Sequence, residues 1–571
     1  MAPTLLVGKS LKNTFLECII ILLLLSSSFL TLDIFTESKI LPKWYAFMLV
    51  IFVGSVLSIF WGKKTIVIDK ILLALILLLS YVLCRDLINE MPTIEIPLVI
   101  SFLALCILFA NIQFKWMNFN SAIIIICLVQ ALYGILQFSN ILSIDDHKII
   151  GSYKNPAGLA INLAISFPLI FLFIKSNKYF SITAAITIMV AVVLSGSRAG
   201  LLSILITCVI YVYEQFPPKL VRHKKLIVLA TVISMLSVGS FLFFFKQNSA
   251  IGRVLVWQVS GHLIGANLIF GGGNYAFSTK YMEYQSEHFS QNSNKKYEQL
   301  ADNIPHPYNE YILIIVKYGI VGLLILVVAL ILTFKSGKLS SPYILCLVSL
   351  CVFALFSYPL QYPVVWVIAA YCIVQIGSNN RAIFCIRSPK IALISVLSIG
   401  MFFLVKDMKF EYEWSKIYKM SLSGKTREVL CKYENLYNQW NGNIFFLYNY
   451  AAELNQLERY NKSVQVMKRC NKYYNDYDTQ IMLADNYFGL ENWSLAKKAY
   501  TQALNMCPNR FLPLFGLHKV GIELKNYKEA TYFANEILEK EVKIPSPTVS
   551  FIKQSMKKYL KNKDTIVDTL H

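Results

Sequence analysis

Polar side chains that can bind an anion or accept a proton are concentrated in four short segments between long apolar runs. The segments are Gly151-Ser152-Tyr153-Lys154-Asn155-Pro156, Ser195-Gly196-Ser197-Arg198-Ala199-Gly200, Ile251-Gly252-Arg253 and Pro305-His306-Pro307-Tyr308-Asn309-Glu310. A guanidinium group binds phosphate oxygens through paired hydrogen bonds, and a histidine with a pKa near neutrality can take a proton from a hydroxyl group. Two arginines, a lysine and a histidine therefore suit the displacement of a lipid pyrophosphate by an alcohol.

His306 is the most informative of these residues. It stands between two prolines, where a long polar loop ends and an apolar helix is predicted to begin. Arg198 lies in a tight polar elbow between two apolar runs, and these runs are too short to leave room for a real loop. We therefore expect the Arg198 side chain close to the bilayer. A charge there is costly unless it meets an anion or a water-filled cavity.

The remaining candidates lie in turns. Lys154 and Asn155 belong to an Asn-Pro turn that precedes an apolar helix. Arg253 opens the longest polar loop. Gly272 belongs to the stretch Gly271-Gly272-Gly273-Asn274, in which the missing side chains let the backbone approach a ligand closely.

Each candidate also has a simpler explanation. Arg198 could lay its aliphatic stem along the bilayer surface, Lys154 could be an ordinary loop charge, and Arg253 could pair with a loop carboxylate. His306 could be a turn histidine bonded to a backbone carbonyl. The acidic stretch Asp145-Asp146-His147 looks like a metal cluster, but adjacent residues rarely all bind one ion. We therefore interpret it as a solvated turn and predict neither a metal site nor a cofactor.

The composition indicates a protein that crosses a membrane many times. Of the 571 residues, 56% are hydrophobic and only 15% are charged, which is far from the average of soluble domains. The net charge of +21 does not indicate nucleic acid, because basic residues of membrane proteins usually lie in cytoplasmic loops. The cysteines lie mostly in or beside apolar segments, so a disulfide framework is not indicated.

We predict twelve to thirteen membrane spans, because a helix needs about 20 apolar residues to cross the bilayer. The thirteen centres lie near Leu22, Val50, Leu75, Leu103, Ile125, Ser166, Ile188, Ile206, Ile233, Leu324, Ser349, Ile368 and Leu397. Basic loops alternate with acidic ones, and basic loops tend to stay in the cytoplasm. This puts the amino terminus in the cytoplasm. With thirteen spans, Lys154, Arg198, Arg253, His306 and the carboxyl-terminal tail lie on the opposite side.

The sequence thus predicts an all-α protein with two domains. Residues 1–406 form a membrane helix bundle with a large outer loop at about 247–309, and residues 407–571 form a polar tail. The tail repeats with a period of about 34 residues, as tetratricopeptide helical hairpins do. One position of the repeat is occupied by Tyr460, Trp493 and Tyr527. The position three residues later is occupied by the small residues Ser463, Ala496 and Ala530. We expect a helical solenoid that binds a protein partner or an acceptor.

Between Gly151 and Gly322 the order of the motifs resembles that of the O-antigen ligase and polymerase superfamily. The shared features are the Gly-x-x-x-Asn-Pro turn, the Ser-Arg-Ala-Gly elbow, an arginine at the start of the large outer loop, a glycine-rich step at Ile269-Phe270-Gly271, and a histidine followed by a Gly-x-x-Gly helix. No single motif is specific, whereas the ordered set within a polytopic protein is fairly specific. The resemblance implies a membrane fold of the GT-C type.

The resemblance also implies an activity and roles for the candidates. Members transfer an oligosaccharide from undecaprenyl pyrophosphate to an acceptor at the periplasmic face of the bacterial inner membrane, without a metal ion. Arg198 and Arg253 would hold the pyrophosphate, and His306 would activate the acceptor. Substrate-binding candidates are Lys154, Asn155, Tyr308, Asn309 and Gly272.

The sequence departs from the family pattern in two places. Family members often have Asn or Ser directly after the histidine, whereas Pro307 and Tyr308 intervene here. An acidic residue commonly precedes the family's tyrosine-glycine pair, whereas Lys317 stands there in this chain.

Three functions remain open from the sequence. The first is transfer of a glycan to lipid A-core or a similar glycolipid. The second uses the same donor to lengthen a polysaccharide or to glycosylate a protein. The third is transport or flipping of a lipid-linked glycan. The long outer loop and the absence of evident inverted repeats argue against transport.

Overall fold

The computed structural model describes residues 18–61, 65–88, 95–111, 116–142, 149–215, 247–291, 294–378, 380–387, 390–439 and 442–568. The span predicted near Ile233 and the turn Asp145-Asp146-His147 lie outside these residues.

The described part of the chain is almost entirely helical. The first helices are α1 (Cys18–Phe29), α2 (Leu41–Trp61), α3 (Lys70–Ile88), α4 (Glu95–Asn111), α5 (Trp116–Phe138), α6 (Pro156–Ser166), α7 (Lys178–Leu194) and α8 (Arg198–Gln215). The loop region holds α9 (Gln247–Ala266), α10 (Ala276–Gln291) and α11 (Lys295–Leu300), and then come α12 (Glu310–Ser336), α13 (Pro342–Ala354), α14 (Pro363–Gly377) and α15 (Lys390–Leu422). The tail holds α16 (Thr426–Gln439), α17 (Ile444–Gln456), α18 (Tyr460–Cys470), α19 (Tyr477–Gly489), α20 (Trp493–Met506), α21 (Leu512–Glu523), α22 (Tyr527–Glu539) and α23 (Pro547–Asp568).

The apolar helices confirm the predicted all-α membrane bundle. In the described residues, 7 helices are long and apolar enough to cross a membrane, and shorter apolar helices accompany them. Every predicted centre other than Ile233 falls within one of these helices or the 3-10 turns that continue α6 to Phe173.

One pair of short strands was not predicted. Strand β1 (Thr65–Ile68) pairs antiparallel with β2 (Phe384–Arg387), and Thr65 lies opposite Arg387. The pair joins the loop after α2 to the loop after α14. The orientation of the bundle in a membrane stays a prediction.

The described chain divides into two compact units. The first comprises residues up to 245 together with 308–311 and 320–416. Helix α6 lies at its centre: all residues from Gly158 to Ser166 are buried, and α6 contacts α5, α7, α8, α13 and α14. Small residues permit this close packing. A Cβ atom on Gly200 of α8 would lie 3.4 Å from the Cβ of Ala160.

The second unit comprises residues 246–307, 312–319 and 417–571, so it contains both the loop helices and the tail. These two parts share one apolar core. Phe277 and Tyr281 of α10 are almost fully buried in the same cluster as Met506 and Cys507 of the tail. Burial of apolar surface is the main favourable contribution to folding. The loop and the tail therefore stabilise each other.

The tail hairpins repeat the same turn three times. Glu458, Glu491 and Lys525 adopt φ values of 59°, 58° and 55°. In each turn the next residue donates its backbone N–H to the carbonyl five positions earlier, as the bond from Asn492 to Tyr487 (2.9 Å) illustrates. This backbone pattern closes a helix end in the left-handed conformation. The equivalent small residues Ser463, Ala496 and Ala530 are all completely buried, and the assignment to the tetratricopeptide class stays a prediction.

Candidate active site

The candidate residues belong to different units. Lys154, Asn155, Arg198, Tyr308 and Asn309 belong to the first unit, and Arg253, Gly272 and His306 belong to the second.

Asn155 is held by the structure through both ends of its side-chain amide. Its Oδ1 accepts the N–H of Gly158 (2.9 Å), which caps α6, and Pro156 takes the first helical position. The same oxygen accepts the Tyr362 hydroxyl (3.2 Å), and Nδ2 donates to the Tyr358 hydroxyl (3.2 Å). An N-cap of this kind contributes about 1 kcal/mol to helix stability. The geometry thus gives Asn155 a structural role that needs no substrate.

Lys154 forms an exposed ion pair. Its Nζ lies 3.2 Å from both carboxylate oxygens of Glu37, and about half of each side chain remains accessible to solvent. Such a surface pair contributes only about 0–1 kcal/mol. An anion could therefore compete with Glu37 for Lys154 at little cost in stability.

Arg198 is placed by the turn that begins α8. Gly196 has a φ of 63°, and the hydroxyl of Ser197 accepts the N–H of Gly200 (3.2 Å) as a helix cap. The Ser195 hydroxyl donates to the carbonyl of Val192 (2.7 Å), which ends α7. The predicted tight elbow is thus present. It leaves the Arg198 side chain half-buried at the first position of an apolar helix.

Tyr308 and Asn309 form the start of α12. Tyr308 has a φ of 53°, a conformation that a tyrosine seldom adopts. Asn309 accepts the N–H of Tyr311 through its Oδ1 (2.9 Å), as a helix-capping asparagine does. The Tyr308 ring lies 6.0 Å from that of Tyr358. In turn, Tyr358 stacks on Tyr362 at 6.5 Å.

Sequence reasoning missed these tyrosines. They occur in the stretch Tyr358-Pro359-Leu360-Gln361-Tyr362-Pro363, where a Tyr-Pro pair appears twice in six residues. That repetition was a usable signal, since proline at a helix start and tyrosine at a membrane boundary both have physical reasons.

In the second unit, a tryptophan connects the helix of Arg253 to the segment of His306. The indole Nε1 of Trp257 donates to the carbonyl of Pro307 at 2.9 Å. Arg253 lies four residues before Trp257 on α9, and residues spaced by four share one helix face. The fold therefore places Arg253 on the face of α9 that meets the Pro305-His306-Pro307 segment.

His306 has an electropositive neighbour. Burial and the positive charge of Lys317 lower the pKa of His306 from 6.5 to about 4. The ammonium of Lys317 donates a hydrogen bond to Oδ1 of Asn274, beside the glycine-rich turn. At neutral pH the imidazole is thus uncharged and can accept a proton. Lys317 was noted in the sequence only as a departure from the family pattern.

The glycine-rich turn serves a close contact between two backbones. Gly271 and Gly319 have φ values of 71° and 67°, and a Cβ atom on Gly319 would lie 2.2 Å from the carbonyl oxygen of Ile269. The N–H of Gly272 donates to the carbonyl of Val316 (2.9 Å). Gly319 interrupts the helical conformation of α12, so the carbonyl of Val316 needs a partner from outside the helix. The contact gives these glycines a structural role, and substrate binding at Gly272 stays a prediction.

The tail supports the segment that leads to His306. Asn509 donates from Nδ2 to the carbonyls of Glu298, Gln299 and Ala301, all at the end of α11. Arg510 pairs with Asp302 at 2.7 Å. The tail therefore binds the backbone only five residues before His306.

Further side chains make the same connection between loop and tail. Gln285 donates to the carbonyls of Met506 (2.6 Å) and Asp302 (3.1 Å). Asn303 donates to the carboxylate of Asp476 at 2.7 Å. The bonds to Met506 and Asp476 join positions 221 and 173 residues apart in the sequence, which no local pattern could have predicted.

The described residues contain no group of three His, Cys, Asp or Glu side chains arranged to hold a metal ion. The charge that acts on His306 is instead the positive charge of Lys317. This arrangement attracts an anion and leaves the imidazole able to take up a proton.

Comparison with protein families gives a match over part of the chain. Residues 183–327 match the family model of the O-antigen ligase. The matched region contains Arg198, Arg253 and His306, whereas Lys154 and Asn155 precede it. A comparison with curated proteins finds no match.

Proposed function

We propose that this chain, whose residues 183–327 match the family model of the O-antigen ligase, transfers a glycan from undecaprenyl pyrophosphate to the hydroxyl group of an acceptor. The general assignment to enzymes of the O-antigen ligase and polymerase type comes from the family. The donor, the acceptor and the side of the membrane are our proposal. The multi-pass helices support a reaction at a membrane, and we propose the periplasmic face of the bacterial inner membrane.

The observation that carries the proposal is the neutral imidazole of His306 in a cationic environment. Its pKa of about 4 keeps it unprotonated at pH 7. Arg253 shares a face of α9 with Trp257, and the indole of Trp257 donates to the carbonyl of Pro307. An arginine there can bind two phosphate oxygens at once. Arg198 keeps the phosphate-binding role that the resemblance implies.

The reaction balances without a further reactant. The acceptor hydroxyl attacks the anomeric carbon of the donor sugar, and a new C–O bond forms as the bond from that carbon to the phosphate oxygen breaks. His306 takes the hydroxyl proton, and undecaprenyl pyrophosphate leaves with the electron pair. Cationic side chains stabilise the charge that develops on the leaving phosphate.

Binding of the donor should improve His306 as a base. A negative charge near an imidazole raises its pKa, and a general base works best when its pKa is near the working pH. The donor pyrophosphate would thus offset the effect of Lys317 and of burial. The site would become a competent base only when the substrate is present.

A gene-deletion strain complemented with variants tests this function. With His306→Ala or Arg253→Ala, we expect lipid-linked glycan to accumulate and attachment to lipid A-core to stop. Normal glycan attachment in both variants, at normal protein levels, would refute the assignment.

The same strain distinguishes the acceptors. Loss of chain lengthening would indicate a polymerase, and loss of protein glycosylation an enzyme that acts on protein. Reconstituted protein that moves lipid-linked glycan across a vesicle without forming a glycosidic bond would instead indicate transport.

A further inference from the structure

Lys317 is a half-buried charged residue that follows the apolar stretch 312–316. It lies two residues before Gly319, which interrupts the helical conformation of α12, and it belongs to the same unit as His306. Removing an ammonium group from water costs free energy unless the charge is paired or hydrogen-bonded. The presence of Lys317 therefore needs a physical reason.

The fold supplies only a weak partner for this charge. The ammonium of Lys317 donates to the side-chain oxygen of Asn274, which is a neutral amide. Within the residues that the structure describes, no carboxylate forms an ion pair with Lys317. A half-buried ammonium bonded to an amide keeps most of its positive charge uncompensated.

The backbone contact beside Lys317 does not require its side chain. The carbonyl of Lys317 accepts the N–H of Gly273 at 2.8 Å, and any residue provides that carbonyl. Nor does the charge help to protonate His306, because the two positive charges repel each other. The hydrogen bond to Asn274 therefore uses the ammonium as a donor but does not require its charge.

We propose that Lys317 is a further phosphate-binding residue of the active site and contacts the pyrophosphate of the donor beside His306. A lysine binds phosphate as a point charge, and Asn274 would hold its ammonium in place while the site is empty. This inference rests on the proposed glycan transfer. It adds a residue that the family pattern does not provide, because an acidic residue is common there.

Lys317 would also couple donor binding to proton transfer. In the free protein its charge disfavours a protonated His306. Once Lys317 is neutralised by the donor phosphate, that repulsion falls and the imidazole becomes a stronger base.

Three variants of the full chain in vesicles test the inference. Lys317→Gln removes the charge but retains a donor for Asn274, Lys317→Arg retains the charge, and Lys280→Gln is the control. Lys280 is an exposed lysine of the same unit that pairs with Glu283. The measurements are KM for the lipid-linked donor, inhibition by inorganic pyrophosphate, and the pH dependence of kcat/KM, at matched thermal stability.

We expect Lys317→Gln to raise KM for the donor and to weaken pyrophosphate inhibition by about tenfold or more, which is typical of a lost charged hydrogen bond. Removing the charge of Lys317 raises the pKa of His306. As the pH is lowered, kcat/KM of Lys317→Gln should therefore begin to fall at a higher pH than kcat/KM of the native chain. Lys317→Arg should retain most of the affinity, and Lys280→Gln should behave as the native chain does.

The inference is overturned if Lys317→Gln binds the donor and pyrophosphate as the control does. It is equally overturned if Lys317→Arg loses as much affinity as Lys317→Gln, because the charge would then be irrelevant. Either result leaves the proposed function intact as long as His306→Ala is inactive. Full activity of His306→Ala and Arg253→Ala would instead remove the function on which the inference rests.

Discussion

Asn509 allows a direct test of whether the tail holds the loop that carries His306. This side chain is buried, with 7% of its surface exposed, and its Nδ2 donates to the carbonyls of Glu298, Gln299 and Ala301. The carbonyl-bearing residue Ala301 is itself 1% exposed. Asn509→Ala therefore leaves a buried acceptor without this donor. The cost of such a loss is about 1–3 kcal/mol.

This energy should act locally. A cost of about 1–3 kcal/mol increases the population of a locally opened state by a factor of roughly 5 to 150. The affected segment ends five residues before His306. We therefore expect faster hydrogen exchange in residues 295–306 and a matching loss of glycan transfer. The rest of the tail should keep its protection.

The tail offers a matched control in Asn526. Its Oδ1 accepts the N–H of Glu529 (3.2 Å) and caps α22. Asn526→Ala should cost about 1 kcal/mol but should affect only the tail. If both variants exchange equally in residues 295–306 and transfer glycan equally well, the tail does not support the loop and the reasoning is wrong.

Three further predictions concern the same unit. Trp257→Phe removes the hydrogen bond to Pro307 and should lower kcat by about fivefold, since a hydrogen bond contributes about 1 kcal/mol. The KM for the donor should change little. An unchanged kcat would contradict a positioning role. Gly319→Ala places a Cβ atom 2.2 Å from the carbonyl oxygen of Ile269 and should lower the melting temperature strongly. The control Gly265→Ala meets nothing within 4 Å and should not lower it. Equal melting temperatures of the two variants would refute the close contact. The pKa of His306, about 4, predicts that kcat/KM is retained at neutral pH and lost as the pH falls through about 4, because only the neutral imidazole accepts a proton; an acidic limb near pH 6.5 would contradict the lowered pKa.

Local features of the sequence predicted much of the fold. The apolar runs predicted the membrane helices because the free energy of moving a side chain into hydrocarbon depends mainly on the side chain itself. The repeat spacing around Trp493 and Tyr527 predicted equivalent helix starts, and the structure places both at the first residue of a helix. The elbow before Arg198 was also predicted, because turn residues act through the conformation of their own backbone.

Roles in the site were harder to predict from local signals. Asn155 is a predicted substrate ligand, and the structure adds that Tyr358 and Tyr362 bind its amide from positions more than two hundred residues away. Gly272 is a predicted ligand-facing glycine, and the structure adds that its N–H is bonded to Val316. The same residue types serve ligand binding and close packing. Only the position of the neighbours distinguishes the two uses.

The sequence by itself determined that this protein is a bundle of membrane helices with a repetitive polar tail, and it identified His306, Arg253 and Arg198 as candidates. Only the tertiary structure decided that the charge of Lys317 acts on His306 and that Asn509 binds the backbone at Ala301. The physical reason is that hydropathy and turn preference are properties of neighbouring residues. Hydrogen bonds and charge interactions depend on distances that exist only after distant segments have packed together.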